Sequence, residues 1–240
     1  IQNVLDTGTF NSCLTQDKDG LLWISAWGKG LLCYDGNELK KIKVTKTEDS
    51  FPTIPSIVTD RKGIIWFFVV HHGLYSYDKK TGTCNHHKPA SNSPDFLTSN
   101  NVNWVPNIIA EDKDGFIWFG TIDGLNSFDK NAGRFTQYRH DRNNLNSLSN
   151  NSVWFVFVCK DGLVWTGTEN GLNSYNKRTG KFRCYKNQPG NSNSLSSNQI
   201  KAIAEDKEGN LWIGTKNTGM DKFDKKTNTF INYKHNPNNF

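Results

Sequence analysis

The chain has 240 residues, of which 35 % are hydrophobic and 22 % are charged, and its net charge is +6 at pH 7. Eight Trp and fifteen Phe exclude a disordered chain, because disordered sequences lack the aromatic residues that build a core. No run of eighteen apolar residues occurs, so the sequence predicts no membrane-spanning helix.

The positive charge is spread along the chain and forms no basic stripe with interleaved aromatic residues, which argues against a nucleic-acid partner. A mild positive field favours acidic ligands, although a surplus of this size also serves solubility. The cysteines show no CxxC spacing and fall in predicted strands, which predicts buried free thiols. They are Cys13, Cys33, Cys84, Cys159 and Cys184.

The first predicted element is a turn and strand that recurs five times, with a Gly three residues before a Trp in every copy. The copies are residues 17–23, 60–66, 112–118, 159–165 and 206–212. Their tryptophans are Trp23, Trp66, Trp118, Trp165 and Trp212, which are 43, 52, 47 and 47 residues apart. Self-similarity at this period indicates a repeat architecture.

Each repeat continues with a Gly-Leu or Gly-Met pair, an aromatic residue followed by Asp or Asn, a polar turn and a last strand. The third repeat therefore predicts strands at about 107–111, 116–121, 125–129 and 134–139. Asp-Gly and Asn-Gly pairs between them are typical hairpin turns, because Gly tolerates positive φ.

Four strands in about 47 residues predict an all-β fold, a β-propeller of four-stranded antiparallel blades. The five predicted blades span about 1–50, 51–99, 100–148, 149–196 and 197–240, and together they form one domain. The repeated tryptophans are predicted to fill the space between blades, since a large flat side chain suits that gap.

The first Asp of each Asp-x-Asp-Gly turn is predicted to accept backbone hydrogen bonds. A calcium loop is the alternative for these turns, but they are too short and lack the distal bidentate Glu. The sequence therefore predicts neither a metal nor a cofactor.

Segments 111–121 and 205–215 resemble the two-component regulator propeller repeat, and the linkers 144–151 and 193–198 are similar to the connection between blades in that family. The resemblance covers essentially the whole chain and is strongest in repeats three to five. The second repeat departs most, with Phe67-Phe68-Val69-Val70 where the family usually has Gly-Thr.

This resemblance implies the extracytoplasmic sensor region, periplasmic or extracellular, of a membrane-anchored hybrid histidine kinase or diguanylate cyclase, often with an oligosaccharide as ligand. Family members usually have seven blades, so five repeats would be either a closed five-blade ring or part of a seven-bladed one. Residues 235–240 read as a linker towards a further blade. Further blades, signalling domains or a second copy paired at a free strand edge are the implied partners.

The turns between second and third strands and the starts of the innermost strands are predicted to share one face of the propeller. Departures from the repeat on that face are the candidate ligand-binding residues. They are Trp27, His71, His72, Asn107, Asp123, Trp154, Glu169 and Lys201. An aromatic platform with amide and charged groups suits a sugar, and Lys201 could pair with a carboxylate or sulfate.

Other interpretations of these residues stay open at this point. Trp154 could belong to the core, His71 and His72 could be solvated turn residues, and Asp123 and Glu169 could be surface carboxylates.

The sequence predicts a binding or sensing module rather than an enzyme. A propeller lyase or glycosidase is an alternative, for which His71, His72, Asp123 and Glu169 are the only plausible acid–base set. No nucleophile, phosphate-loop or zinc motif is present, and His87 replaces the Tyr138 of the third repeat, which makes it a poor metal ligand. A protein-interaction scaffold is a further alternative.

Overall fold

The computed structural model describes residues 13–26, 28–44, 52–88 and 108–234. Within these residues the regular elements are twenty strands in five four-stranded antiparallel sheets, each with its strands in sequence order. The predicted all-β propeller fold is therefore confirmed. The described residues contain no helix long and apolar enough to cross a membrane.

The strands are numbered in chain order, four to a blade. The first blade consists of β1 (Cys13–Gln16), β2 (Leu22–Ala26), β3 (Gly30–Tyr34) and β4 (Leu39–Ile42). The second consists of β5 (Ile57–Thr59), β6 (Ile65–Val69), β7 (Gly73–Asp78) and β8 (Thr83–His87). The third consists of β9 (Ile109–Glu111), β10 (Phe116–Thr121), β11 (Gly124–Asp129) and β12 (Arg134–Tyr138). The fourth consists of β13 (Val153–Val158), β14 (Val164–Thr168), β15 (Gly171–Asn176) and β16 (Lys181–Tyr185). The fifth consists of β17 (Ile200–Glu205), β18 (Leu211–Thr215), β19 (Met220–Asp224) and β20 (Thr229–Tyr233).

The innermost strands meet in chain order, β1 with β5, β5 with β9, β9 with β13 and β13 with β17. Among the described strands, β17 packs less closely against β1 than these neighbouring innermost strands pack against one another. The predicted linker at 235–240 lies outside the described residues.

The hydrophobic core lies between the blades rather than within them. Each of four large clusters joins residues of two neighbouring blades. In one of them Leu125 of the third blade is buried together with Val153 and Tyr175 of the fourth. A single four-stranded sheet cannot cover its own two faces, so each blade depends on its neighbours for burial.

Four of the five repeated tryptophans occupy this space, as predicted, whereas Trp212 of the fifth blade is only half-buried. The ring of Trp118 lies 5.6 Å from that of Tyr175 on the third strand of the next blade. The equivalent pairs are Trp23–Tyr77 at 5.7 Å, Trp66–Phe128 at 5.8 Å and Trp165–Phe223 at 5.7 Å. Tilted pairs at such distances add about 0.5–1.5 kcal/mol each beyond the area they bury.

The last strand of a blade adds an aromatic ring from the same blade. Tyr138 stacks on Trp118 with centroids 5.6 Å apart, and His87 stacks on Trp66 at 4.9 Å. His87 therefore takes the place that Tyr138 has in the third blade, as its position in the repeat predicts. Its Nε2 also lies 2.8 Å from Ser76 Oγ, and burial lowers its pKa to about 4.

In the first three repeats, the first Asp is a junction between its turn, its tryptophan and the next blade. Asp112 Oδ1 accepts hydrogen bonds from the backbone N–H groups of Asp114 and Phe116, at 2.9 and 3.0 Å. Its Oδ2 accepts from Trp118 Nε1 at 2.8 Å and from Lys177 Nζ of the next blade at 2.6 Å. The predicted turn role is confirmed, and the cross-blade lysine is an additional contact.

The lysine follows the Asp or Asn that ends the third strand, and it is present in every blade but the first. The four lysines are Lys79, Lys130, Lys177 and Lys225, which bind carboxylates in the turns of the preceding blades. Burial alone would raise the pKa of Asp17. Hydrogen bonds, including those from Lys79 and Trp23, outweigh burial, and the net result is a lowered pKa.

The fourth blade departs from this pattern because Cys159 stands at the Asp position. The backbone turn is retained, with Cys159 N–H donating to the Leu163 carbonyl at 3.0 Å. The indole N–H of Trp165, however, has no acceptor, and Lys225 binds Asp161 and Glu205 instead. All five cysteines are free thiols; Cys13, Cys33 and Cys159 are buried as predicted, whereas Cys84 and Cys184 are only half-buried.

Glycine on the second strand allows close approach of the next blade. A Cβ at Gly167 would lie 2.7 Å from Ile200 Cγ2 of the fifth blade. In the second blade the equivalent residue is Phe68, which is fully buried with its ring 5.6 Å from that of Phe119. In the second repeat, which departs from Gly-Thr, the Phe68 side chain therefore fills the interface. In the third and fourth repeats a close approach to the backbone at glycine fills it instead.

Two linkers between blades are held by side-chain hydrogen bonds. Leu148 and Leu195 are fully buried at the interfaces that they cross. The residue after each leucine is fixed, because Ser149 N–H donates to Asn173 Oδ1 at 2.9 Å and Ser196 N–H to Asp221 Oδ2 at 2.8 Å. The Asn- and Ser-rich composition of these linkers thus serves blade packing.

We expect Cys159→Asp to stabilise the protein by about 1–2 kcal/mol, because a carboxylate there accepts the free Trp165 N–H and gains Lys225 as a neighbour. The free energy of unfolding, measured by chemical denaturation, checks this expectation. The matched reverse change, Asp112→Cys, should cost about 2 kcal/mol, because it leaves the Trp118 N–H without an acceptor and leaves Lys177 with Asp114 as its remaining carboxylate. A destabilised Cys159→Asp protein would contradict the role given to the carboxylate.

We also expect stability to fall between pH 6.5 and about 4, because the unfolded chain takes up a proton at His87 that burial denies to the folded chain. His87→Tyr, which restores the repeat residue, should flatten the stability curve in this interval. Tyr138→His should steepen it, since it places the same ring on Trp118. Thermal unfolding at several pH values measures both slopes, and unchanged slopes in both variants would refute the assignment.

Candidate functional site

The candidate ligand-binding residues lie on equivalent turns and innermost strands of successive blades. Trp27 and Asn107 lie outside the described residues. The other six are described, and the structure brings three of them together, namely Trp154, Glu169 and Lys201, at the junction of the fourth and fifth blades.

Two β-bulges position the central pair. The register between β13 and β14 shifts between Val153 and Phe155, so that Trp154 is the extra residue. The register between β17 and β18 shifts in the same way between Ile200 and Ala202, which makes Lys201 the extra residue. A bulge redirects a side chain out of the alternating pattern of a strand. Both side chains are thereby turned to the same place at the ends of adjacent innermost strands.

Lys201 and Trp154 form a cation–π contact. The Nζ atom of Lys201 lies 3.0 Å from the centroid of the Trp154 ring. The indole N–H of Trp154 donates to Ser152 Oγ at 3.1 Å, which fixes the ring orientation. Trp154 is half-buried and is neither an ordinary core residue nor an open platform, because Lys201 covers its ring.

A small cleft surrounds this pair. Its volume is about 40 Å³, and its lining consists of Trp154, Thr168, Glu169, Gln199, Ile200, Lys201 and Lys216. Pockets that enclose drug-sized ligands measure roughly 300–1,000 Å³. The cleft can therefore receive one small group, while the rest of a ligand would lie over its mouth.

The electrostatics of the cleft favour an anion. Burial lowers the pKa of Lys201, the nearby Lys216 lowers it further, and Glu169 opposes them. Two ammonium groups thus face one carboxylate. A carboxylate or sulfate entering the cleft would relieve the repulsion between the lysines.

Backbone hydrogen bonds hold the turns that carry the charged groups. Glu169 N–H donates to the Ser152 carbonyl at 3.2 Å, and Lys216 N–H donates to the Gln199 carbonyl at 3.0 Å. Both bonds join the end of a second strand to the residue before the bulged strand. The same connection in two blades explains why the charged side chains meet the bulged residues.

Asp123 is occupied elsewhere. Its carboxylate forms a salt bridge with Arg139, and its carbonyl accepts from Gln137 Nε2 at 3.2 Å. It lies on the β10–β11 turn of the third blade and does not line the cleft.

His71 and His72 form the β6–β7 turn of the second blade and are exposed. His71 has a φ of 63°, and His72 N–H closes the turn on the Val69 carbonyl at 3.0 Å. The His72 carbonyl accepts from His86 Nε2 at 2.7 Å. These contacts give both histidines a role in the turn, and neither lines the cleft.

The residues considered for acid–base chemistry are therefore distributed over the turns of three different blades. In the described part of the chain, no group of three His, Cys, Asp or Glu side chains is placed to hold a metal ion.

Sequence reasoning missed four residues that line the cleft, namely Thr168, Gln199, Ile200 and Lys216. Lys216 stands on the second-to-third-strand turn of the fifth blade, in the same position class as Glu169. That position was the available signal. Gln199 carries none, since its place follows from a tertiary contact in which its carbonyl accepts from Lys216 N–H.

Comparison with known proteins supports the repeat assignment. Residues 97–123 and 194–217 match the model of the family "Two component regulator propeller". A search of curated protein sequences gives no significant match.

Solved structures share the fold. Two crystal structures of an extracellular domain from B. thetaiotaomicron, described as a hybrid two-component or one-component system, are both 24 % identical to the chain. They superpose with TM-scores of 0.73 and 0.75 over 93 % and 97 % of this chain, which spans only 28 % and 29 % of theirs. Virginiamycin B lyase from Staphylococcus aureus is 17 % identical, with a TM-score of 0.69 over 97 % of this chain and 72 % of the lyase. Identities this low establish the fold alone.

The family match falls on the third and fifth blades, where the turn Asp, the tryptophan and the second-strand glycine are all present. The chain is therefore a β-propeller in which residues 97–123 and 194–217 match the two-component regulator propeller model.

Proposed function

We propose that this propeller is the ligand-sensing module of a bacterial signal-transduction receptor and lies in the periplasm or outside the cell. Its ligand is an oligosaccharide, or another small molecule, that carries a carboxylate or sulfate. The cleft between the fourth and fifth blades, with Trp154 and Lys201 at its centre, is the binding site.

The observation that carries the proposal is the paired bulge that places a lysine on an aromatic ring beside a second lysine. A bulge costs a ladder hydrogen bond, and bulges concentrate next to binding and active sites. A structural role alone would not require two cations at the same cleft.

The arrangement suggests how binding proceeds. An anionic group enters between Lys201 and Lys216 and draws the Lys201 ammonium away from the indole. The ring face of Trp154 becomes available for the apolar face of a sugar, which stacks on it while hydroxyl groups bond to Gln199 and Glu169. Charge selects the ligand, and the ring adds contact area.

The position of the cleft suits a sensor. Trp154 belongs to the innermost strand of the fourth blade and Lys201 to that of the fifth. A ligand that bridges them favours one relative placement of two blades, and differential binding of this kind shifts a conformational equilibrium. The repeat family is named for two-component regulators, and the fold is shared with extracellular domains of such systems.

Titration calorimetry with a panel of acidic and neutral oligosaccharides tests the site. Lys201→Gln should weaken binding of an acidic ligand about tenfold, the equivalent of about 1.4 kcal/mol for one partly exposed charge pair. Trp154→Ala should weaken it similarly, and Glu169→Gln should strengthen it. Lys226→Gln, on an exposed turn of the fifth blade, is the matched control and should change nothing. Equal affinity for neutral sugars, or no effect of Lys201→Gln, would overturn the proposal.

Proton uptake provides a second test. Because burial and Lys216 lower the pKa of Lys201 in the free protein, an anion beside it should raise that pKa. We therefore expect a net uptake of protons on binding at alkaline pH, detected as a dependence of the binding heat on the ionisation enthalpy of the buffer. Lys201→Gln should abolish the dependence, and its persistence in that variant would assign the proton to another group.

A further inference from the structure

The linkers 140–149 and 187–196, which lead into the fourth and fifth blades, fold in the same way. In the first linker Asp141 N–H donates to Ser147 Oγ at 2.9 Å, and the corresponding residues of the second linker make the same bond at 2.9 Å. His140 Nδ1 lies 2.6 Å from the Leu148 carbonyl, which in the second linker is matched by a bond from an asparagine amide. The two linkers can therefore be compared residue by residue.

A groove lies between the first linker and the end of the outer strand β16. Its volume is about 360 Å³, which falls within the range of small-molecule sites, roughly 300–1,000 Å³. It shares no lining residue with the cleft at Trp154. It is called the linker groove here, and its lining includes Asp141, Arg142, Leu145, Cys184 and Lys186.

A short side chain leaves this space open. Cys184 stands at the position of the last strand where the second, third and fifth blades have His86, Gln137 and Asn232. Each of these longer side chains lies within hydrogen-bond distance of a backbone carbonyl, at 2.7, 3.2 and 3.1 Å. In the fifth blade that carbonyl belongs to Ser194 of the second linker, which corresponds to Ser147 of the first. A thiol is shorter and a weak donor, so Cys184 does not fill the matching place.

Two cations of the linker groove have no partner. Arg142 and Lys186 are exposed at its rim, and within the described residues neither side chain forms a hydrogen bond or a salt bridge. The second linker has Pro189 where Arg142 stands, so the shared linker fold does not require the arginine. Asp141 supplies one carboxylate, whose Oδ1 accepts from Asn143 N–H at 2.9 Å. The excess of positive charge favours an anionic ligand.

An apolar side chain stands at the same rim. Leu145 is 94 % exposed, and the second linker has Ser192 at this position. The fold gains nothing from a leucine in water, whereas an apolar surface that covers the leucine stabilises a complex through burial. Leu145 therefore offers a ligand an apolar contact close to the two cations.

We propose that the linker groove is a second ligand-binding site of the propeller, for a small organic anion in which a carboxylate, sulfate or phosphate adjoins an apolar face. The anionic group pairs with Arg142 and Lys186, and the apolar face packs between Leu145 and Cys184. The site is independent of the cleft at Trp154, so either site can be disproved without the other.

Alkylation of Cys184 by iodoacetamide reports occupancy of the linker groove. Burial raises the pKa of this thiol, so the reaction is followed at about pH 8.5 by mass spectrometry. Cys84, which is half-buried in the second blade, is the internal reference. The probes are glucuronate, glucose 6-sulfate and glucose 6-phosphate, and glucose is the neutral control.

At a probe concentration of about ten times its Kd, modification of Cys184 should slow about tenfold, because only the unoccupied fraction reacts. The rate at Cys84 should stay unchanged, and glucose should protect neither thiol. The acidic probe with the lowest Kd then identifies the anionic group that the groove prefers.

Substitutions at the rim test the contacts. Arg142→Gln and Lys186→Gln should each weaken binding of the best probe about three- to fivefold, as for one exposed ion pair. Leu145→Ser, which restores the residue of the second linker, should weaken it about threefold and leave the free energy of unfolding unchanged. Arg178→Gln removes the same charge from an exposed turn of the fourth blade outside the groove, and it should change nothing.

Cys184→Asn tests the origin of the groove. Its amide should bond to the Ser147 carbonyl, as Asn232 bonds to Ser194, and so fill the groove. Titration calorimetry should then detect no binding of the best probe, while the unfolding temperature should stay the same or rise. The unfolding temperature separates a filled groove from a misfolded protein.

Three outcomes would overturn the proposal: no protection of Cys184 by any acidic probe, equal protection by glucose, or undiminished affinity in Cys184→Asn. Lys201→Gln, in the cleft at Trp154, should leave protection of Cys184 intact. Loss of that protection in Lys201→Gln would also overturn the proposal, because the probe would then act from the other site.

Discussion

In each of the first three blades, one carboxylate oxygen connects three parts of the structure. Asp112 Oδ2 accepts the indole N–H of Trp118 from its own blade and the ammonium of Lys177 from the next, while Oδ1 closes the turn. The carboxylate is buried, so each of these donors is needed to offset its lost hydration. The turn, the position of the tryptophan and the placement of the next blade are therefore fixed together. Where this junction is complete, neighbouring blades meet in the same way.

Packing supplies most of the stabilisation, and the polar junction adds specificity. A buried tryptophan contributes several times the net value of a single hydrogen bond, which is about 1 kcal/mol. The fourth blade shows the division of roles, because Trp165 remains buried against Phe223 although Cys159 offers its indole no acceptor. Apolar contact between blades thus tolerates the loss of one junction, at the expense of an unsatisfied N–H.

The candidate site uses the same interface for another purpose. The second-strand glycine brings β17 close to β14, and the bulges at Trp154 and Lys201 turn two side chains to the end of that contact. The site is built on strands whose neighbours are fixed by the core, so its geometry is held by the rigid part of the blade while the ligand meets only the bulged residues and the turns. The two ends of the inter-blade contact have different chemistry: the Asp–Lys junction satisfies its charges internally, whereas the cleft leaves two lysines facing one carboxylate.

The sequence by itself determined the blades. The recurrence of Gly and Trp and the hairpin signals predicted four strands per repeat, and the bounds of β10 agree with 116–121, because turn chemistry and alternation are local properties of the chain. It also predicted that His87 replaces Tyr138, since position in a repeat implies position in the sheet.

Tertiary structure alone decided which side chains meet across blades. The pairing of Lys177 with Asp112 joins residues 65 positions apart, and the bulges that bring Lys201 onto Trp154 depend on sheet register, which no local pattern specifies. For the same reason Asp123 was predicted at the ligand site but lies against Arg139: the sequence shows which residues break a repeat, whereas only the packed strands show which neighbour satisfies each charge.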